Sequence, residues 1–178
     1  MRNLHFLLIV LFLNSCSQSR DIEIPDPDFS IALPDRMYFN NLKYYKYDRE
    51  KVDANRERLS FNSFYENKSL PHFRFSFLYD QPGGRALLEL KDYNFEENAD
   101  NGFFEYAFSD TTYVSGHKTN DPLLAFQNGY LSLRNLKMNG SIHFIDDDKN
   151  RFQLYEDDAE RKKVIELLSD YFKLIDKI

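Results

Sequence analysis

Histidine and cysteine are the side chains best suited to hold a soft metal or move a proton near neutral pH. This chain has four of the first and one of the second. His72, His117 and His143 stand 45 and 26 residues apart, whereas zinc sites usually take part of their ligand set from short intervals. His72 and His143 each flank apolar positions of alternating segments, so alternation turns their rings to the opposite, solvated faces. His117 follows Gly116 in a loop, and His5 lies in an apolar stretch. Asp146, Asp148 and Asn150 have the spacing that opens a calcium loop, with Asp157 at the twelfth place. The sixth place of such a loop needs glycine for its bend, and Arg151 stands there. A charged hairpin turn is therefore expected, and the acidic group Glu96, Glu97 and Asp100 reads as a loop. Neither HExxH, nor a glycine-rich phosphate loop, nor GxSxG occurs. No catalytic residue, metal ligand or cofactor is assigned, and ligand-binding residues stay unnamed.

The one cysteine, Cys16, excludes an intrachain disulfide and sits in a distinctive setting. Arg2 precedes an unbroken apolar run from Phe6 to Leu13. Eight residues span about 12 Å as a helix, far short of the ~30 Å of a hydrocarbon core, and match the apolar region of a signal peptide. Leu13-Asn14-Ser15-Cys16 closes the run. This tetrapeptide resembles the lipobox of bacterial lipoproteins, with an apolar first position and a small residue before Cys. Asn14 departs slightly from the family's Ala, Ser or Thr. The resemblance covers only the first 16 residues. It implies lipidation of the Cys16 thiol, cleavage after Ser15, and acylation of the new amino group, with palmitate as a usual chain. Several acyl chains also fit the energetics, since one anchors only marginally. In such proteins Asp after the cysteine commonly retains the product at the inner membrane. Ser17 takes that place here, which implies the outer membrane, with a periplasmic or cell-surface orientation left open.

Three segments follow: a signal peptide over 1–15, lipidated Cys16 with a polar tether over 16–28, and a single globular domain over 29–178. Pro25 and Pro27 would stiffen the tether. Within the domain, Phe29, Ile31 and Leu33 alternate as a strand that Pro34 ends, and residues 42–47 read as a second strand. Residues 48–58 are charged enough to be a solvated helix or loop. Phe73, Phe75, Phe77 and Tyr79 alternate, Pro82-Gly83-Gly84 turns, and Ala86, Leu88 and Leu90 return as the paired strand. Phe104, Tyr106 and Phe108 alternate next, and Tyr113 and Val114 begin another strand. Residues 123–138 read two ways: Asn128-Gly129 suggests a tight turn between Ala125-Phe126 and Tyr130-Leu131, while Leu133, Leu136 and Met138 fit a short strand or a helix. Ile142 and Phe144 pair with Phe152 and Leu154 across the acidic loop.

The ending changes period. Asp157 caps a helix over 158–177, with Glu160 completing a capping box. Val164, Leu168, Tyr171, Ile175 and Ile178 form its stripe, widened by Leu167 and Phe172. These elements predict an α+β fold, a predominantly antiparallel sheet with the long C-terminal amphipathic helix packed on it. A small β-barrel with an external helix is the alternative.

The 178 residues are 42% hydrophobic and 29% charged, with 17 Phe and 12 Tyr, which suits a folded aromatic core. The net charge is -6, and removing Arg2 with the leader leaves -6 - 1 = -7. That charge opposes nucleic-acid binding. The adjacent pairs Tyr44-Tyr45 and Phe103-Phe104 each expose one ring unless both sheet faces are covered. The expectation is a membrane-anchored cell-envelope lipoprotein acting as a non-catalytic accessory or binding subunit, held by lipid on Cys16 and able to meet an envelope protein partner. A small envelope hydrolase and a carrier of a hydrophobic ligand are the rivals.

Overall fold

Two antiparallel four-stranded sheets share one aromatic core with two long helices. The computed structural model describes residues 22–66, 68–95, 102–109, 111–116 and 121–178. The first sheet has the order β1 (Asp48–Lys51), β2 (Arg56–Ser60), β3 (His72–Asp80), β4 (Arg85–Tyr93). The second has the order β6 (Thr112–Gly116), β5 (Phe103–Ala107), β7 (Ser141–Ile145), β8 (Arg151–Leu154). Helices are α1 (Leu33–Leu42), the short α2 (Asn62–Tyr65), α3 (Pro122–Lys137) and α4 (Asp158–Leu174). The fold is α+β, with two open sheets in place of a barrel.

Alternation is the cause of the strongest strands. Phe73, Phe75, Phe77 and Tyr79 of β3 are all buried, as are Ala86, Leu88 and Leu90 of β4. Their hairpin keeps register from His72 opposite Tyr93 to Asp80 opposite Arg85. The sheets meet through rings: Phe73 of the first lies 4.8 Å from Phe104 and 4.6 Å from Phe144 of the second. Such offset and edge contacts add to plain area burial.

The final helix forms as its stripe requires. Asp157 accepts from the N–H groups of Ala159 and Glu160 at 2.9 Å each, satisfying two otherwise orphaned donors. Val164, Leu167, Leu168, Tyr171, Phe172 and Ile175 are buried, and Tyr171 packs on Phe77. Ile178 stays half exposed. The helix stops at Leu174, three residues short of the expected end, because Asp176 turns left-handed and Lys177 N–H closes back on Phe172 O at 2.8 Å. The second half of the capping box is absent, since Glu160 is drawn into a pair with Lys68.

Four local expectations give way. Pro34 opens α1 instead of ending a strand: its missing N–H costs nothing in a first turn and its fixed φ suits a helix. Only Ser30 of that predicted strand makes a bridge, to Arg85. Residues 42–47, expected as a strand, complete α1 and a 3-10 turn over Tyr44–Lys46. Residues 48–58, expected as a solvated helix or a loop, belong to a hairpin over 48–60 whose outer strand carries Arg49, Glu50 and Lys51 toward solvent, the usual protection of a sheet edge. Finally, Asn128-Gly129 lies inside α3. The helix is buried on most of its surface, so no single stripe marks it. A Cβ on Gly129 would meet Leu88 Cδ2 at 2.3 Å and Leu168 Cδ2 at 3.3 Å, so glycine lets α3 approach β4 and α4. Asn128 is satisfied by Tyr106 Oη–H donating to Oδ1 at 2.9 Å and by its own donation to Gly116 O.

The free edge of β4 is covered. Phe29 O accepts from Ala86 N–H at 2.9 Å, and the Tyr171 hydroxyl reaches Ala86 O and the Leu88 backbone. The described part of segment 17–28 also lies on the domain: Ile22 and Ile24 pack against the core, and Ile22 N–H donates to Tyr113 Oη at 2.7 Å. No helix among the described residues is long and apolar enough to cross a membrane.

Candidate functional site

A gathering of chemically capable side chains lies where the first turn of α4 meets the start of β3. Alternation puts His72 and Arg74 on the face of β3 opposite its phenylalanines, as the sequence implies. That face is not solvated at this end, because α2 folds over it and brings Tyr65. His72 is buried, which corrects the expectation of a solvated ring. Its ring is stacked between Tyr65 (5.5 Å, 3°) and its cross-strand neighbour Tyr93 (5.4 Å, 11°). Arg74 lies over both tyrosine rings, at 4.8 and 4.0 Å.

Hydrogen bonding fixes the imidazole. Arg74 Nε–H donates to His72 Nε2 at 2.8 Å, so that nitrogen accepts, and Nδ1–H donates to Leu70 O at 2.7 Å. This is the neutral tautomer, and burial holds the pKa below the ordinary value, with the Arg74 and Lys68 cations pushing the same way. With both nitrogens engaged, His72 has no lone pair or proton free for a substrate.

Beside this stack, Lys68 Nζ donates to Glu160 Oε2 at 2.6 Å. Glu160 is 3% exposed, and its Oε1 has no hydrogen-bond partner. Together with Leu70, Pro71, Gln153 and Tyr155 they line an open groove of ≈ 250 Å³. Tyr155 holds a left-handed φ of 56°, an uncommon conformation for an aromatic residue, and its hydroxyl donates to Phe73 O at 3.4 Å. Burial pushes the Tyr155 and Tyr65 phenols up, so both stay protonated.

No family model, curated protein or solved structure matches this chain.

His143 sits elsewhere, on the outer face of the second sheet as expected. It is flanked by Arg151, whose Nη2 lies 3.2 Å from Nδ1, and by Glu105, which pairs with the same arginine. Burial and the Arg151 charge lower its pKa, against the opposing pull of Glu105. The two described histidines are thus on different faces of different sheets. Asp146 serves its turn: its carboxylate accepts from Asn150 N–H at 2.8 Å and Nδ2 at 2.9 Å, the fate of a hairpin residue. No group of His, Cys, Asp or Glu among the described residues is arranged to hold a metal. Cys16, His117 and the cluster Glu96, Glu97 and Asp100 lie outside the described residues.

Two further features were invisible in the sequence. One is a surface: Leu33, Met37, Tyr38 and Leu42 of α1 are all exposed, and Tyr45 in the following turn is 77% exposed. The 33, 37 and 38, 42 spacings put these side chains along neighbouring turns, while Phe39 alone is buried against Phe77 and Tyr79. Of the predicted aromatic pairs, Tyr45 is the exposed member of one, and Phe103 is only partly buried beside buried Phe104. The other is the tie that holds α1 to α4. Asp170, 7% exposed, receives Lys46 Nζ at 2.6 Å and Tyr47 Oη–H at 2.8 Å, with Lys43 at 3.4 Å. Burial pushes the Asp170 carboxyl up, but the hydrogen bonds and charges of Lys46, Tyr47 and Lys43 outweigh it and hold the pKa below the ordinary value.

Proposed function

We propose that this protein is a bacterial envelope lipoprotein, anchored by lipid on Cys16, whose domain serves as a non-catalytic binding subunit. The observation that carries the reading is the apolar run Phe6 to Leu13 closed by Leu13-Asn14-Ser15-Cys16. Ser17 supports an outer-membrane destination. The uncovered side chains of α1 support a binding role, since a soluble domain gains nothing by exposing two leucines, a methionine and two tyrosines together. The occupied nitrogens of His72 support the same role, because they leave that imidazole no lone pair or proton for a substrate.

Fractionation of cells tests the anchor. The wild-type protein should stay with outer membranes through a carbonate wash that strips peripheral proteins. A wild-type protein found wholly in the wash would overturn the anchoring reading. For the binding role, Met37→Asp and Tyr45→Asp should abolish crosslinking of the anchored protein to an envelope protein while leaving its melting curve unchanged. Crosslinking that persists in both would remove α1 from the reading.

A further inference from the structure

Helix α1 turns its apolar side chains outward. Its exposed positions are Leu33, Pro34, Met37, Tyr38, Asn41 and Leu42, with no charge among them, and Tyr45 follows at 77% exposure. The charged residues of the helix, Asp35 and Arg36, sit half-buried on its flanks. A surface helix whose outer face meets only water shows the reverse arrangement. Beside this face runs a groove of ≈ 400 Å³, between α1 and the end of α4 with the residues after it. Tyr38, Phe39, Leu174 and Ile178 give the groove apolar walls. Asp35, Lys43, Lys173 and Asp176 put both signs of charge along it.

One molecule thus carries both a projecting ring and a slot for a ring, as a two-fold contact requires, where residue i meets j and j meets i. Asn41 lies in the middle of the uncharged face, between the lines of Leu33 and Met37 and of Tyr38 and Leu42. With two α1 helices antiparallel and Asn41 at the axis, Tyr38 of each copy meets Leu42 of the other. Tyr45 stands four residues beyond Asn41, about 6 Å at the helical rise. An equal step back along the other helix reaches Met37 and Tyr38, where the groove lies. Charge favours the same occupant. The chain is acidic, net -6, so copies can meet only on a seam free of like charge, and α1 provides one. Hydrocarbon fits worse, because it would take the Asp35 and Asp176 carboxylates at the border out of water. Leu33, Met37, Tyr38, Leu42, Tyr45 and Ile178, each half exposed or more, offer on the order of 100 Å² apiece, about 1,200 Å² over two copies. That is the low end for a specific complex, so the pairing is weak in solution and gains from holding both copies in one membrane.

We propose that two copies of this chain pair α1 against α1, antiparallel about a two-fold axis near Asn41, each seating Tyr45 in the other's groove between α1 and α4. This rests on the binding role of α1 proposed above and names the envelope partner as a second copy.

The test places a thiol at the axis of the full-length chain in cells. Two copies of Asn41→Cys would stand within disulfide reach of each other. Mild oxidation of intact cells should move Asn41→Cys into a reducible band of twice the chain's mass, and a second, differently tagged copy should co-purify in that band. The wild type, and Val114→Cys at a 63% exposed position on the second sheet, should give less than about a tenth as much. Adding Tyr45→Asp to Asn41→Cys should lower the trapped fraction about tenfold or more, because it puts a carboxylate beside Asp35 and Asp176 in a site built for a ring. Should that variant fail to fold, Leu42→Asp, 66% exposed, should do the same from a folded protein. The proposal is overturned if Asn41→Cys gives no such band, if Val114→Cys matches it, or if the folded Asp variants leave it unchanged. An Asn41→Cys adduct with a different protein would overturn the second copy and leave the binding role of α1 standing. No adduct at all, with crosslinking that persists in Met37→Asp, would remove both.

Discussion

Leu168→Ala is the sharpest probe of how the domain is held together. Leu168 is 0% exposed at the centre of the α4 stripe, with its Cδ2 facing Gly129 of α3. The substitution removes three carbons from a dry site, about 2.4 kcal/mol at ~0.8 kcal/mol per methylene. The cavity it leaves adds to this, because α3, α4 and β4 are locked by their shared contacts, giving ~3–5 kcal/mol in all. Ile178 belongs to the same sequence stripe but is 50% exposed. Ile178→Ala removes as many carbons from a half-wet site beyond the helix end, so its cost should stay below ~1 kcal/mol. Urea melts of a residue 17–178 fragment separate the two. The Leu168 variant should lower the midpoint by about 1–3 M at unchanged slope, and the Ile178 variant by a few tenths. If Leu168→Ala left the midpoint unmoved, α4 would be an undocked arm and the packing described above would be wrong.

Asp170 makes stability depend on acid. Its folded pKa is depressed, so its contribution is complete above the unfolded value of ~3.9 and is lost as pH falls through the folded value. Asp170→Asn should therefore cost roughly 2–4 kcal/mol near neutral pH, less than a fully buried pair because Lys46 is partly exposed, and much less in acid below the folded value. A cost that is the same at both pH values would show that the carboxylate charge is not what matters. Asp157→Ala should cost about 1 kcal/mol through the two amide donors it strands, readable in the same melts. Gly129→Ala should destabilise by ~1–2 kcal/mol despite the better helix propensity of alanine, because its Cβ lands 2.3 Å from Leu88. A more stable variant would mean that Leu88 yields freely.

Legibility in the sequence follows the physics of exposure. The β3–β4 hairpin, β5, β7, β8 and α4 could be read because each turns its largest apolar side chains to one face and mostly polar ones to the other, which writes a period into the sequence. Segments without that contrast carry no such signal. Buried on most sides, α3 shows no stripe, and Asn128-Gly129 imitates a turn. The informative signal was Asp121-Pro122, an N-cap followed by proline in the first turn, with Asp121 accepting from Leu123 and Leu124 N–H. The β1–β2 hairpin is an edge with charge on its outer strand, and its pattern resembles a solvated helix. At the groove, alternation correctly assigned the face of His72, but it cannot tell whether a face is covered. That cover is Tyr65, contributed by a four-residue helix with no sequence signature. The burial of Glu160 was equally hidden, because a glutamate three residues after Asp157 reads as half of a capping box.

Metabolic labelling with palmitate bears most directly on the central claim, which is that Cys16 carries the anchor. Cells expressing the wild-type chain should give a labelled band of processed size. Cys16→Ser should lose the label and accumulate as the longer precursor, because the substitution removes the only thiol in the chain. Label retained by Cys16→Ser, or a wild-type band that is processed but never labelled, would contradict the account.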